Sequence, residues 1–186
     1  MSSQFMTPED FLAGLTGSRD DFRLAAEALR ASGRPFCLIG GLAVNHYVEP
    51  VVTLDADFAI AGAEGVMEAL GSHGFEVEEH PHSINARFPG SRLRIQITIN
   101  SRYADFPARA VEAELFGVRL PVARLEDLVQ GKLWALQDPE RRASKKLKDK
   151  TDLVRICESH RRILGLIPPG LIPEADAMRQ DPQGQS

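Results

Sequence analysis

Long apolar runs are missing from this sequence. No stretch approaches the roughly 20 consecutive apolar residues a membrane helix needs, and residues 1–10 lack a basic region followed by an apolar core. The expectation is cytoplasmic residence with no membrane partner. Cysteine is scarce as well: Cys37 and Cys157 are the only two, far apart and without C-x-x-C spacing, so both read as packed, reduced thiols. Positive charge is not in excess. With 22 Lys and Arg against 26 Asp and Glu, the formal net charge is -4 and the pI is about 5.8. That balance argues against coating nucleic acid through bulk charge, although a local basic patch suffices to hold phosphates. A small anionic substrate carried with a metal fits better. There is no internal repeat.

What is present is enough apolar material for one core. A chain of 186 residues with 43% hydrophobic content sits within the range of one domain. The expectation is a single domain over residues 1–167, with its core at about 18–160, followed by a Pro- and Gln-rich flexible tail at 168–186. Thr7-Pro8-Glu9-Asp10 has the residues of a helix start, predicting a short helix through Leu15. Residues 18–31 predict an amphipathic helix with Phe22, Ala25, Ala26 and Leu29 on one face and Gly33 ending it.

Phe36 to Ile39 suits a buried strand, broken by Gly40-Gly41, after which Leu42 to Tyr47 begins a helix. From Thr53 to Ile60 the pattern alternates, with Thr53, Asp55 and Asp57 on one face and Leu54, Ala56, Phe58 and Ile60 on the other. Residues 63–73 read as helix, 75–78 and 84–88 as weaker strands, and 118–122 as a short strand. Leu93, Ile95, Ile97 and Ile99 alternate with Arg94, Gln96, Thr98 and Asn100, a half-buried strand. Two helices follow, Leu125 to Gln137 and Arg141 to His160, separated at Asp138-Pro139.

The informative constellation is strand, Gly40-Gly41, helix, then a strand carrying Asp55-Ala56-Asp57. Carboxylates at i and i+2 on a strand face the same way and can share a hard cation such as Mg2+. Backbone N–H groups at a glycine turn heading a helix can hold phosphate oxygens. Gly-Gly between a strand and a helix is by itself common chain-reversal chemistry, whereas Asp-x-Asp on a strand is rarer. Like charges side by side on a strand, however, are costly without a cation.

These residues resemble a known family. Ile39-Gly40-Gly41-Leu42-Ala43-Val44-Asn45 followed by Thr53-Leu54-Asp55-Ala56-Asp57 is similar to the motif of polymerase-beta-type minimal nucleotidyltransferases, in particular the group with AbiEii-type toxins. Leu125-Glu126-Asp127-Leu128, Gly131-Lys132-Leu133-Trp134-Ala135 and Lys148-Asp149-Lys150-Thr151-Asp152 extend the resemblance to about Ile156. It implies an α+β fold, a nucleotidyltransferase-type mixed β-sheet flanked by helices with a C-terminal helical part. It implies Mg2+ on Asp55 and Asp57, a nucleoside triphosphate on Gly40, Gly41, Asn45 and Thr53, and Lys132 as a phosphate-facing or structure-fixing cation. Lys148, Asp149 and Asp152 take supporting places.

One position departs from the family pattern. Where a third carboxylate belongs on a neighbouring strand, Gln96 offers a neutral oxygen and no base. This points three ways: one metal on Asp55 and Asp57 alone, another carboxylate drawn from elsewhere, or a kept fold without transfer. As function, nucleotidyl transfer to an unknown acceptor stands beside a toxin–antitoxin or phage-defence role on RNA or a partner protein and a catalytically silent nucleotide-binding or interaction domain. The basic run Arg141, Arg142, Lys145, Lys146, Lys148 and Lys150 reads as a solvated helix face or as a collar for phosphates. Asp149 and Asp152 read as ion-pair partners of nearby lysines or of Lys132. His46, after the glycine turn, reads as a capped or surface residue or as a substrate contact, and His80 and His82, flanking Pro81, show no spacing that would make a metal site.

Overall fold

The computed structural model describes residues 20–181. Among them, residues 20–46 and 50–124 form one compact unit and residues 47–49 and 125–181 a second. The short helix expected at Thr7 to Leu15 lies outside the described residues.

The first unit opens with α1 (Asp20–Ala31) and β1 (Phe36–Ile39), followed by α2 (Gly40–Tyr47), β2 (Asp55–Ile60) and α3 (Val66–Ser72). It continues with β3 (Glu76–His80), β4 (Ser83–Arg87), β5 (Arg94–Thr98), β6 (Val111–Leu115) and β7 (Val118–Val122). Phe22, Ala25, Ala26 and Leu29 of α1 are fully buried, as their helical spacing requires. The seven strands form one sheet in the order β3-β4-β5-β2-β1-β7-β6. β2 runs parallel to β5 and β1 parallel to β7, while β1–β2, β3–β4, β4–β5 and β6–β7 are antiparallel.

Strand alternation sorts this sheet into two faces. Ala56, Phe58 and Ile60 of β2, Ile95 and Ile97 of β5, and Ile84 and Ala86 of β4 are buried. Phe58 stacks on Phe22 at 6.3 Å between ring centroids and meets Phe36 edge-on at 6.1 Å. The intervening residues of β2 and β5, Asp55, Asp57, Arg94 and Gln96, lie on the opposite, polar face and are half-buried or exposed.

Strand β6 was not expected from the sequence, since its two glutamates and alanine favour a strand poorly. Among the described residues it is an edge strand paired with β7, through a two-residue turn in which Phe116 and Gly117 both have positive φ, 53° and 74°. Both central residues of a type I′ hairpin turn need that conformation. Glycine adopts it freely, and the phenylalanine is held by an edge-on contact with Phe22 at 5.6 Å.

The second unit contains α4 (Leu125–Gln137), α5 (Ala143–Ser159), a 3-10 turn at Arg161–Leu166 and α6 (Pro173–Gln180). Leu128, Val129 and Leu133 of α4 are buried, as are Leu153, Ile156 and Cys157 of α5. The break at Asp138-Pro139 is closed by Asp138, whose carboxylate accepts a hydrogen bond from the Glu140 N–H at 2.9 Å. Composition hid α6, which falls in the segment read as a flexible tail. Pro173 stands in its first turn, where a missing N–H costs nothing. Ile172 and Ala175 are fully buried, and Arg179 donates to the Leu164 carbonyl at 2.8 Å. No helix among the described residues is long and apolar enough to cross a membrane.

Cys37 and Cys157 are free thiols, both buried. Burial pushes the Cys157 thiol above its ordinary pKa. Neither should react with a disulfide reagent such as DTNB in the native protein, and both should react in denaturant. Rapid native labelling of either would contradict this packing.

Candidate functional site

The polar face of β2 is built around one close approach. Register places Ile39 opposite Asp57, so the chain leaving β1 turns at Gly40 directly beside that carboxylate. Gly40 has φ +69°, and a Cβ on it would stand 2.8 Å from both Cβ and Cγ of Asp57 and closer still to Oδ2. Only glycine meets both the left-handed backbone and the approach. Gly41 follows, buried in the first turn of α2.

Asp55 and Asp57 share the polar face, both partly accessible. In the parallel ladder with β5, Asp55 pairs with Arg94 and Asp57 with Gln96. Gln96 in turn stands opposite Asn85 of β4. The position beside Asp57 is therefore occupied by one neutral amide, Gln96, with a second, Asn85, next to it. Arg94 donates from Nε to Asp55 Oδ1 at 2.7 Å, a contact invisible in the sequence except as the i, i+2 relation of Arg94 to Gln96. Among the described residues no three His, Cys, Asp or Glu side chains gather as a metal-holding group.

Thr53 and Asn45 hold backbone. The buried Thr53 hydroxyl accepts the Asp55 N–H at 3.3 Å, steadying the start of β2. The Asn45 amide donates to the Val51 carbonyl at 2.6 Å and accepts the Val51 N–H at 3.0 Å. This two-point clamp fixes the loop between α2 and β2.

In the second unit, Lys132 of α4 is buried and bonded to two aspartates of α5, Asp149 at 3.0 Å and Asp152 at 2.6 Å. Of the two kinds of partner the sequence left open for Asp149 and Asp152, neighbouring lysines or Lys132, the folded chain brings Lys132 to both. Arg141 approaches Asp149 at 2.5 Å and Arg155 approaches Asp152 at 3.0 Å, closing a cluster of three cations and two acids. Desolvation, the largest single influence, lowers the Lys132 pKa, but the charges of Asp152 and Asp149 and their hydrogen bonds outweigh it, leaving the ammonium above its ordinary value. Lys148 is half-buried on the same helix as the aspartates. Within the basic run, Arg141 pairs with Asp149 and Lys150 with Glu174 at 3.0 Å.

No protein-family model matches the chain, and no curated protein matches it in sequence. Solved structures do. JHP933 of Helicobacter pylori is 16% identical over 90% of this chain and 75% of its own, with a TM-score of 0.54. A candidate nucleotidyltransferase of the same organism is 17% identical over 98% of this chain and 80% of its own, also with a TM-score of 0.54. ANT(2'')-Ia, solved in complex with adenylyl-2''-tobramycin, is 14% identical over 89% of this chain and 98% of its own, with a TM-score of 0.53. The likeness, at such low identity, concerns the fold: this chain has the α+β nucleotidyltransferase-type fold, a mixed seven-stranded sheet with flanking helices.

Proposed function

We propose that this protein transfers a nucleoside monophosphate from a nucleoside triphosphate to a hydroxyl or phosphate acceptor in a Mg2+-dependent reaction. The observation that carries this reading is the seating of Asp57 against Gly40, which brings the glycine turn and the paired carboxylates to one place. Mg2+ is commonly held by one or two carboxylates, with water and phosphate oxygens completing its shell. Asp55 and Asp57 supply that number from one strand face. The donor set fits one cation arriving with a triphosphate.

When bound, the cation supplies charge stabilisation at the phosphoryl oxygens and lowers the pKa of the attacking hydroxyl. The chain's own residues orient the reactants. Backbone N–H groups of Gly40 and Gly41 at the head of α2 would hold the triphosphate oxygens. Thr53 holds Asp55 through its backbone, and Asn45 keeps the preceding loop in place. Lys132 is assigned the structure-fixing role, because its ammonium is already shared by Asp149 and Asp152. In the toxin–antitoxin or phage-defence form of this reading, the acceptor is RNA or a partner protein.

The test is calorimetric titration of each nucleoside triphosphate with Mg2+ into wild type and the double variant Asp55→Asn, Asp57→Asn. Binding that depends on Mg2+ should disappear in the variant. Unchanged binding and transfer there would sink the assignment. Gln96, in register with Asp57, favours a second reading, nucleotide binding without transfer. Release of pyrophosphate by the wild-type protein decides between the two.

A further inference from the structure

We infer that Arg94 is a built-in cation of this site, competing with the divalent metal for Asp55 and serving as a triphosphate contact once the metal is in place. The inference rests on the nucleotide-binding reading above and adds a residue to it. Three observations carry it. The parallel register sets Arg94 beside Asp55 on the polar face, and its Nε meets Oδ1 of that carboxylate at 2.7 Å. The Arg94 side chain is 65% exposed while that of Asp55 is 20% exposed, so the guanidinium reaches from the open side onto the acid. Gln96, the next residue of β5 on this face, is neutral, so strand β5 brings a positive charge to the paired acids and no negative one.

The chemistry follows from the shape of the group. A guanidinium presents five N–H donors in a planar fork suited to carboxylate and phosphate oxygens. In the resting protein its charge offsets the repulsion between Asp55 and Asp57, two acids that would otherwise face each other across one intervening residue. A divalent cation binding to Asp55 must compete with that ion pair. A polyanionic triphosphate then offers the displaced guanidinium a new partner at the same strand position. Two carboxylates and one guanidinium leave the cluster with one net negative charge, which repels an anionic metal–triphosphate complex less than two unpaired acids would.

The two halves predict effects of opposite sign, which a merely structural ion pair would not produce. The probes are Mn2+ alone, followed by electron paramagnetic resonance, and ATP, GTP, CTP and UTP, each titrated with Mn2+ present into the full chain. In Arg94→Gln, Mn2+ alone should bind about tenfold tighter, while the preferred triphosphate should bind about tenfold weaker, the scale of one charged hydrogen bond. Arg94→Lys, which keeps the charge, should fall near wild type for Mn2+ alone. If Arg94→Gln leaves both affinities unchanged, or moves them in the same direction, the role given to Arg94 is overturned and the nucleotide site stands. If wild type itself binds no triphosphate with Mn2+, the functional reading fails and this inference with it.

Discussion

Replacing Gly40 with alanine is expected to abolish Mg2+-dependent triphosphate binding while leaving the protein folded. Two penalties combine at this position. The left-handed backbone at φ +69° costs a residue with a Cβ roughly 1–2 kcal/mol. The new methyl group would also stand 2.8 Å from Cβ and Cγ of Asp57, so the carboxylate must move or β1 and β2 must part. Gly33 provides the control. It has a similar φ of +70°, but a Cβ there meets nothing within 4 Å, so Gly33→Ala carries the backbone cost alone. Unfolding free energies from denaturant titration should fall in both variants, by about 1 kcal/mol for Gly33→Ala and about 1–3 kcal/mol for Gly40→Ala. Only Gly40→Ala should lose the triphosphate in calorimetry. Wild-type affinity in Gly40→Ala would show that the seating of Asp57 is not what shapes the site.

Lys132→Met is expected to give the largest loss of stability. The side chains of Asp149 and Asp152 are each only 3% exposed, and removing the cation between them leaves buried negative charge that Arg141 and Arg155 cover only in part. Breaking a buried pair from one side typically costs about 3–5 kcal/mol. Trp134, the single tryptophan, lies two residues along the same helix, so its fluorescence follows unfolding of the second unit directly. The pH dependence has a defined sign. The folded pKa of Lys132 is raised, so its contribution is fully present below the ordinary lysine pKa and is lost as pH rises through the higher folded value. The gap between wild type and Lys132→Met should hold constant from neutral pH to about pH 10 and narrow above it. A gap under about 0.5 kcal/mol would place Lys132 with ordinary surface residues.

Much of the fold was legible because its elements carry strong periodic signals. The apolar stripe of Phe22, Ala25, Ala26 and Leu29, and the alternation through Asp57 and Phe58 and through Arg94 to Ile97, each name an element and its buried side. Where the signal weakened, the reading failed for physical reasons. Strand β6 is half charged and survives as an edge paired with β7, and its turn uses a phenylalanine in a conformation that no propensity favours. Helix α6 lies in a segment rich in proline, yet one of those prolines is what starts it.

For the candidate site, the sequence by itself determined the parts: a glycine turn at a strand end, two acids spaced to share a face, and an amide, Gln96, on the polar side of a later strand. Those follow from local periodicity, which is written along the chain. The tertiary structure alone decided which parts touch. It set Gly40 against Asp57, laid Arg94 on Asp55, and enclosed Lys132 between Asp149 and Asp152, 17 and 20 residues away. Such contacts depend on strand register and helix packing. Shifting a strand by one residue would turn each of its side chains to the other face, and no local pattern records which register the folded sheet adopts.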